Sequence, residues 1–172
     1  MTPVTVLTGF LGSGKTTLLS KLIRHPDMAR TAVVINEFGD VGLDHILLES
    51  SDENIVELNS GCLCCTIRGD LVVTLEDLLA RRHRGDIMDF DRIIIETTGL
   101  ADPVPILHAL MTDKALAGAI RLEGVVTTVD AVNGAATLDR HDESVRQATV
   151  ADRIVLTKTD LADPEASNLP KR

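Results

Sequence analysis

The chain alternates between short apolar runs and longer stretches where apolar residues recur every three or four positions. The runs are Val4–Leu7, Ala32–Ile35, Ile55–Leu58, Arg92–Ile95, Gly124–Val129 and Arg153–Leu156. β-branched residues dominate them, and most read as strands buried on both faces, as in a parallel sheet covered by helices. A first helix is predicted from about Lys15 to Arg24, with Leu18, Leu19, Leu22 and Ile23 on one face and Pro26 as its stop. A second runs from about Leu71 to Arg82, with Leu71, Leu75, Leu78 and Leu79 at helical spacing, Asp70 as N-cap and Gly85 past the end. A third opens at Asp102-Pro103. Residues 131–151 read as one helix ending near Val150, and residues 161–172, LADPEASNLPKR, as a loose polar tail. The expected fold class is α/β: three layers around a mostly parallel central sheet, with one domain over residues 1–160.

Composition narrows the partners. A net charge of −9 lacks the basic face that nucleic acid requires. Only Phe10, Phe38 and Phe90 are aromatic, so base-stacking platforms are scarce. No run approaches the roughly 20 apolar residues of a membrane span, and no signal peptide is apparent. The three cysteines, Cys62, Cys64 and Cys65, are odd in number and tightly clustered, which is not a secreted disulfide framework. The expected compartment is the cytoplasm, with no nucleic-acid or membrane partner.

The first strand runs into Gly9-Phe10-Leu11-Gly12-Ser13-Gly14-Lys15-Thr16. This is G-x-x-x-x-G-K-[ST], and its context of strand before and helix after is the one phosphate binding needs. Backbone N–H groups of Gly12, Ser13 and Gly14 cradle phosphate oxygens, with Thr16 and Thr17 opening the helix. Lys15 reaches the β- and γ-phosphates, and the Thr16 hydroxyl is a ligand for Mg²⁺. A second strand ends in RIIIETTG, residues 92–99. Glu96 there is placed to hold the Mg²⁺ shell through water, and the Gly99 amide to sense the γ-phosphate. A third ends in RIVLTKTD, residues 153–160. A carboxylate at Asp160 accepts both donors on one edge of guanine, which adenine lacks. The Lys158 stem can lie along the base. The stretch resembles the [NT]-K-x-D base-reading motif of GTPases, with Thr157 where asparagine is commoner.

Soft thiolates at the density of C-x-C-C suit Zn²⁺ or a similar metal. Three from one short loop would be cramped, so two or three plus an outside ligand are expected. A site short of ligands is exchangeable and suits transfer of metal. The rival readings are a redox-sensitive thiol cluster or plain buried cysteines. Among the histidines, His45 and His108 are the candidates for a place near the metal. The run Arg81-Arg82-His83-Arg84 complements a helix end.

TGFLGSGKTTLL, NEFGDVGLD, NSGCLCC, ETTGLADP, VDA and ADRIVLTKTDL follow one another in this order. Together they resemble the CobW-type GTPases, metallochaperones related to the nickel-inserting accessory GTPases of hydrogenase and urease, and the likeness runs from about residue 3 to residue 162. It implies a P-loop NTPase fold, GTP/GDP and Mg²⁺ as cofactors, and a site at Cys62, Cys64 and Cys65 for zinc or in some members cobalt. It also implies delivery of that metal to a client protein. Asp40 departs from the family's commoner glutamate. Either Glu37 or Asp40 orients the attacking water or lends the metal an oxygen, within a switch loop spanning residues 36–53. The family pattern continues past this point, so the last strand and helix of the domain and the C-terminal domain are expected to be absent. A homodimer sharing cysteine ligands would relieve the cramped loop. The rivals in function are a nucleotide-binding metal buffer or redox sensor without hydrolysis, and a P-loop kinase, which would have no use for TKTD.

Overall fold

The computed structural model describes residues 1–36, 55–57, 63–67 and 70–162, with side chains for 1–35 and 70–162. β1 (Thr2–Gly9), β2 (Thr31–Asn36), β3 (Ile55–Glu57), β4 (Leu63–Ile67), β5 (Arg92–Thr97), β6 (Ile120–Asp130) and β7 (Arg153–Thr157) form one sheet in the order β3-β4-β2-β5-β1-β6-β7. All pairings are parallel except that of the edge strand β3 with β4. The expected three-layer α/β fold with a mostly parallel sheet is the one observed.

Alternation along the central strands divides their side chains between two cores. Val4, Val6, Ala32, Val34, Ile93 and Ile95 share one with Leu71, Leu75 and Leu78 of α2 (Leu71–Arg84) and Leu110 of α3 (Val104–Thr112). Leu7, Val33, Ile35 and Ile94 pack instead with Leu19 of α1 (Lys15–Leu22) and with Ile23. Both sheet faces are thus covered, which is why these strands read as continuous apolar runs. The caps follow the local chemistry. Asp70 Oδ1 accepts from Val72 N–H at 2.8 Å, and Gly85 closes α2 at φ 77°. Asp102 Oδ1 accepts from Val104 N–H at 3.0 Å, as its place before Pro103 predicts.

Two expectations change. Residues 131–151 hold two helices, α4 (Gly134–Arg140) and α5 (Asp142–Thr149), with His141 extended between them at φ −132°, ψ 110°. Asp142 and Glu143 occupy the first turn of α5, where acids favour a new helix start. The second change concerns the cysteines. Cys64 and Cys65 lie within strand β4, in register with Val33 and Val34 of β2 and with Val56 and Ile55 of β3. They are not residues of a loop. Cys62 lies outside the described residues, as do Glu37, Asp40, His45, most of the expected switch loop and residues 163–172 of the expected tail.

Candidate functional site

Parallel strands deliver their C-terminal ends to one edge of the sheet, and the candidate residues collect there. β1 ends at Gly9 (φ 144°), wedged against the end of β6. A Cβ on Gly9 would stand 2.6 Å from the Thr128 carbonyl oxygen and closer still to the Thr128 hydroxyl. Only glycine lets the loop leave the strand here. The Ser13 and Thr128 hydroxyls bond each other at 2.6 Å beneath the loop.

Lys15 is the first residue of α1 and is only 8% exposed. Its Nζ donates to Gly9 O at 2.7 Å and Phe10 O at 3.2 Å, so the ammonium is folded onto the loop. Burial pushes its pKa below the ordinary lysine value, and the nearby Glu96 carboxylate opposes that shift. Thr16 Oγ1 donates to Glu96 Oε1 at 3.0 Å. Glu96 sits in β5 between Leu7 of β1 and Ile35 of β2, and is buried. Two β5 residues tie into this corner: Glu96 to Thr16 of α1, and Thr97 to Thr8 of β1 through a 2.8 Å hydroxyl bond. Thr17 is exposed in the first turn of α1.

The turn after β5 abuts the loop. A Cβ on Gly99 would lie 2.7 Å from Leu11 N and 2.8 Å from Leu11 Cα, so the two backbones are already in contact. From the other side, β7 delivers Thr157, whose Oγ1 donates to Ser13 O at 2.6 Å and Val129 O at 3.3 Å. This ties the TKTD turn to the phosphate loop. Lys158 follows in the left-handed region at φ 56°, and its Nζ donates to Asp130 Oδ2 at 2.7 Å. Asp160 is exposed in the turn closed by the 3.0 Å bond from Leu161 N–H to Lys158 O.

Asp130, at the end of β6, had no role in the sequence reading beyond its place in VDA. Burial raises its pKa. The Lys158 ammonium, the Val132 and Asn133 N–H groups and the Asn133 side-chain amide outweigh burial and hold the carboxyl at about 2. Thr128, Gln147 and Asp130 are the residues this reading missed. The signal for Asp130 was there: like Glu96 and Asp160, it is an acid just past an apolar run. A cavity of about 180 Å³ lies among residues 10–13, the end of β6, α4, α5 and Lys158. Gly12, Ser13 and Lys158 line it, while Lys15, Thr16 and Asp160 do not.

The structure therefore brings Gly12, Ser13, Gly14, Lys15, Thr16, Glu96, Gly99, Thr157 and Lys158 to one strand edge. His108 is elsewhere, on α3, where Thr112 Oγ1 donates to its carbonyl at 2.8 Å. Among the described residues no group of three or more His, Cys, Asp or Glu side chains is placed to hold a metal, and Cys62 is not among them. Arg82 of the basic run packs its guanidinium 4.6 Å from the Phe90 ring centroid and donates to Thr2 Oγ1 and Phe90 O, both at 3.0 Å. That role is structural.

A glycine-rich loop between a buried strand and a helix, beside a strand-end acid and the TKTD turn, defines a P-loop nucleotide-binding domain. The profile of the family described as CobW/HypB/UreG, nucleotide-binding domain, matches residues 3–171, and the chain belongs to that family. It is 42% identical over 169 residues to the zinc chaperone YjiA of Escherichia coli, covering 98% of this chain and 52% of that one. It is 39% identical to the zinc-regulated GTPase metalloprotein activator 1 of Schizosaccharomyces pombe, covering 99% and 42%. The crystal structure of Zn(II)-bound YjiA GTPase from E. coli superposes with a TM-score of 0.77 at 40% identity, covering 96% of this chain and 51% of that one. The chain thus spans about half the length of the curated relatives it matches. No described helix is long and apolar enough to cross a membrane.

Proposed function

We propose that this chain is the GTP-binding and GTP-hydrolysing domain of a cytoplasmic metallochaperone. In this reading it couples nucleotide state to a transition metal, zinc or cobalt, held by Cys62, Cys64 and Cys65 and passed to a client metalloprotein. The observation that carries the reading is the convergence of three ties on one P-loop: Lys15 on its carbonyls, Thr16 on Glu96, and Thr157 on Ser13. The names of the relatives support the metal and the nucleotide.

Each residue has a task. Lys15 leaves the Gly9 and Phe10 carbonyls for the β- and γ-phosphates, exchanging weak acceptors for charged ones. The Thr16 hydroxyl and Glu96 carboxylate are hard oxygen donors 3.0 Å apart, a set that fits magnesium. Bound Mg²⁺ neutralises charge on the phosphate oxygens. Gly99 N–H meets the γ-phosphate from the turn beside Leu11. Asp160 accepts from guanine, while Thr157 and Lys158 hold that turn to the loop and to Asp130. Glu37 or Asp40 orients the attacking water. A homodimer would complete the cysteine ligand set from two copies.

The test is Zn²⁺ affinity by competition with a chelating dye in reducing buffer, with Mg-GTP analogue, with Mg-GDP and without nucleotide, for wild type and Cys64→Ala. Affinity that changes with nucleotide and collapses in the variant supports the coupled site, since linkage works equally in both directions. Equal affinity in all three states refutes the coupling. Phosphate release from Mg-GTP, slow in the metal-free domain and abolished by Lys15→Ala, tests hydrolysis.

A further inference from the structure

The turn that follows β5 has its peptide planes held individually. Thr98 O accepts from Ala101 N–H at 3.1 Å. Gly99 O and Ala101 O both accept from Gln147 Nε2, at 3.2 and 3.0 Å. In a trans peptide the N–H points opposite the C=O of the same plane. The Thr98 bond therefore sets the direction of Gly99 N–H, and the Gln147 bond sets that of Leu100 N–H. With Leu11 pressed against Gly99, the turn has no slack toward the loop.

Gln147 is suited to such a hold. It lies on α5 and is 0% exposed. Its own carbonyl accepts from Thr127 Oγ1 at 2.7 Å, which anchors α5 to β6. Arg146 Nη1 reaches Asp102 Oδ2 at 3.1 Å on the outside of the same turn. Among the described residues none donates to Gln147 Oε1, so both side-chain bonds of the amide go to this one turn. A buried primary amide with two donors aimed at two carbonyls of a glycine turn is a costly device for packing alone, because a leucine would fill the same space.

We propose that Gln147 is a positioning residue for γ-phosphate recognition: it presets the Gly99 turn against the P-loop, so that a triphosphate meets N–H groups already in place. The inference rests on the GTP-binding reading above and deepens it. A preset turn adds affinity for the triphosphate without adding any for the diphosphate, which does not reach Gly99.

The experiment measures affinity for GTPγS and GDP in Mg²⁺, and amide hydrogen exchange of residues 98–102 in the nucleotide-free protein, for wild type, Gln147→Leu and Gln147→Glu. Gln147→Leu should lower the GTPγS-over-GDP preference by about tenfold, hold GDP affinity within about twofold, and speed exchange in the turn. Gln147→Glu offers two carbonyls no donor when ionised and one donor when protonated. Its preference should recover as pH falls from about 8 to about 5.5, with the glutamate pKa raised by burial, while the wild-type preference stays level. The glutamate series decides the matter if the leucine variant fails to fold. An unchanged preference in Gln147→Leu overturns the proposal, as does an equal loss for both nucleotides with turn exchange unchanged. A wild type that binds neither nucleotide overturns the GTP reading instead, a distinct failure.

Discussion

The two ends of the sheet use their charged side chains differently. At the N-terminal edge of β2 and β5, Arg30 is 48% exposed and meets Asp91 at 2.7 and 2.8 Å and Asp89 at 2.9 Å. The Arg30 guanidinium holds the Asp91 carboxyl below its usual range, first through that hydrogen bond. Arg30, Asp89 and Asp91 each face an opposite charge, in water. At the C-terminal edge Lys15 is nearly buried, and its hydrogen-bond partners are backbone carbonyls. A buried cation hydrogen-bonded to carbonyl dipoles costs stability, which the nearby Glu96 carboxylate offsets only in part. The contrast separates a cluster that is finished within the protein from one that an anion would complete.

The largest expected effect tests that contrast directly. Lys15→Met should weaken nucleotide binding by at least about a hundredfold, since it removes charge-assisted bonds to phosphate. It should leave the melting temperature nearly unchanged: one buried charge is removed, but the cation facing the buried Glu96 carboxylate is lost with it. Arg30→Met should do the reverse: nucleotide affinity unchanged, melting temperature slightly lower. Calorimetric titration and thermal melts on both variants suffice. If Lys15→Met unfolds more easily than Arg30→Met, the distinction between the two ends collapses.

A smaller effect is expected at the seam between the β5 turn and the loop. Gly99→Ala puts a methyl 2.7 Å from Leu11 N, against backbone that cannot rotate away. The strain should cost about 1–3 kcal/mol in denaturant unfolding and displace the loop. A variant as stable as wild type would mean that the contact yields freely.

Where the candidate residues gather was largely legible, because each of their motifs is local. A glycine-rich loop, a strand-end acid and a TKTD turn each declare themselves within eight residues, and parallel strands then carry them to one edge. The missed parts need partners distant in sequence. Gln147 reads as an ordinary helix residue until α5 is laid over Gly99 and Ala101. Thr128 matters only because Gly9 and Ser13 meet it. The loop placement of Cys64 and Cys65 failed for another reason: metal-ligand chemistry drew attention from Leu63-Cys64-Cys65-Thr66-Ile67 as a strand-forming run flanked by Gly61 and Gly69. The split at His141 was signalled by Asp142-Glu143, which one continuous helix leaves unexplained.

Acid offers a graded test of the nucleotide edge. The Asp130 carboxyl titrates at about 2 in the folded protein against 3.8 as its ordinary value. A depressed folded pKa contributes stability that is complete above about pH 4 and is lost as pH falls toward 2. The contribution is about 2 kcal/mol at most, since Lys158 is partly exposed and its charge is screened. Asp130→Asn should therefore lower stability at pH 7 and flatten its decline between pH 4 and 2. Equal slopes for variant and wild type in urea unfolding at stepped pH would place the acid sensitivity elsewhere.

The smallest effect concerns the residue that departs from the commoner asparagine. Thr157 Oγ1 gives its one proton to Ser13 O at 2.6 Å, and the 3.3 Å approach to Val129 O is secondary. Thr157→Val keeps the volume and removes the donor. It should cost about 0.5 kcal/mol of stability and about fivefold in nucleotide affinity, which is about 1 kcal/mol, because the TKTD turn would no longer be tied to the phosphate loop. Thr157→Ser retains the hydroxyl and should retain both. This pair sharpens the comparison between the two ends of the sheet. At the Arg30 end, loss of one partner leaves a charge that water can serve. At the loop, the Ser13 carbonyl has the Thr157 hydroxyl as its short partner, and that bond links two halves of one binding surface. An affinity loss larger than the stability loss would identify Thr157 as part of the nucleotide device rather than of the scaffold; equal losses would assign it to the scaffold.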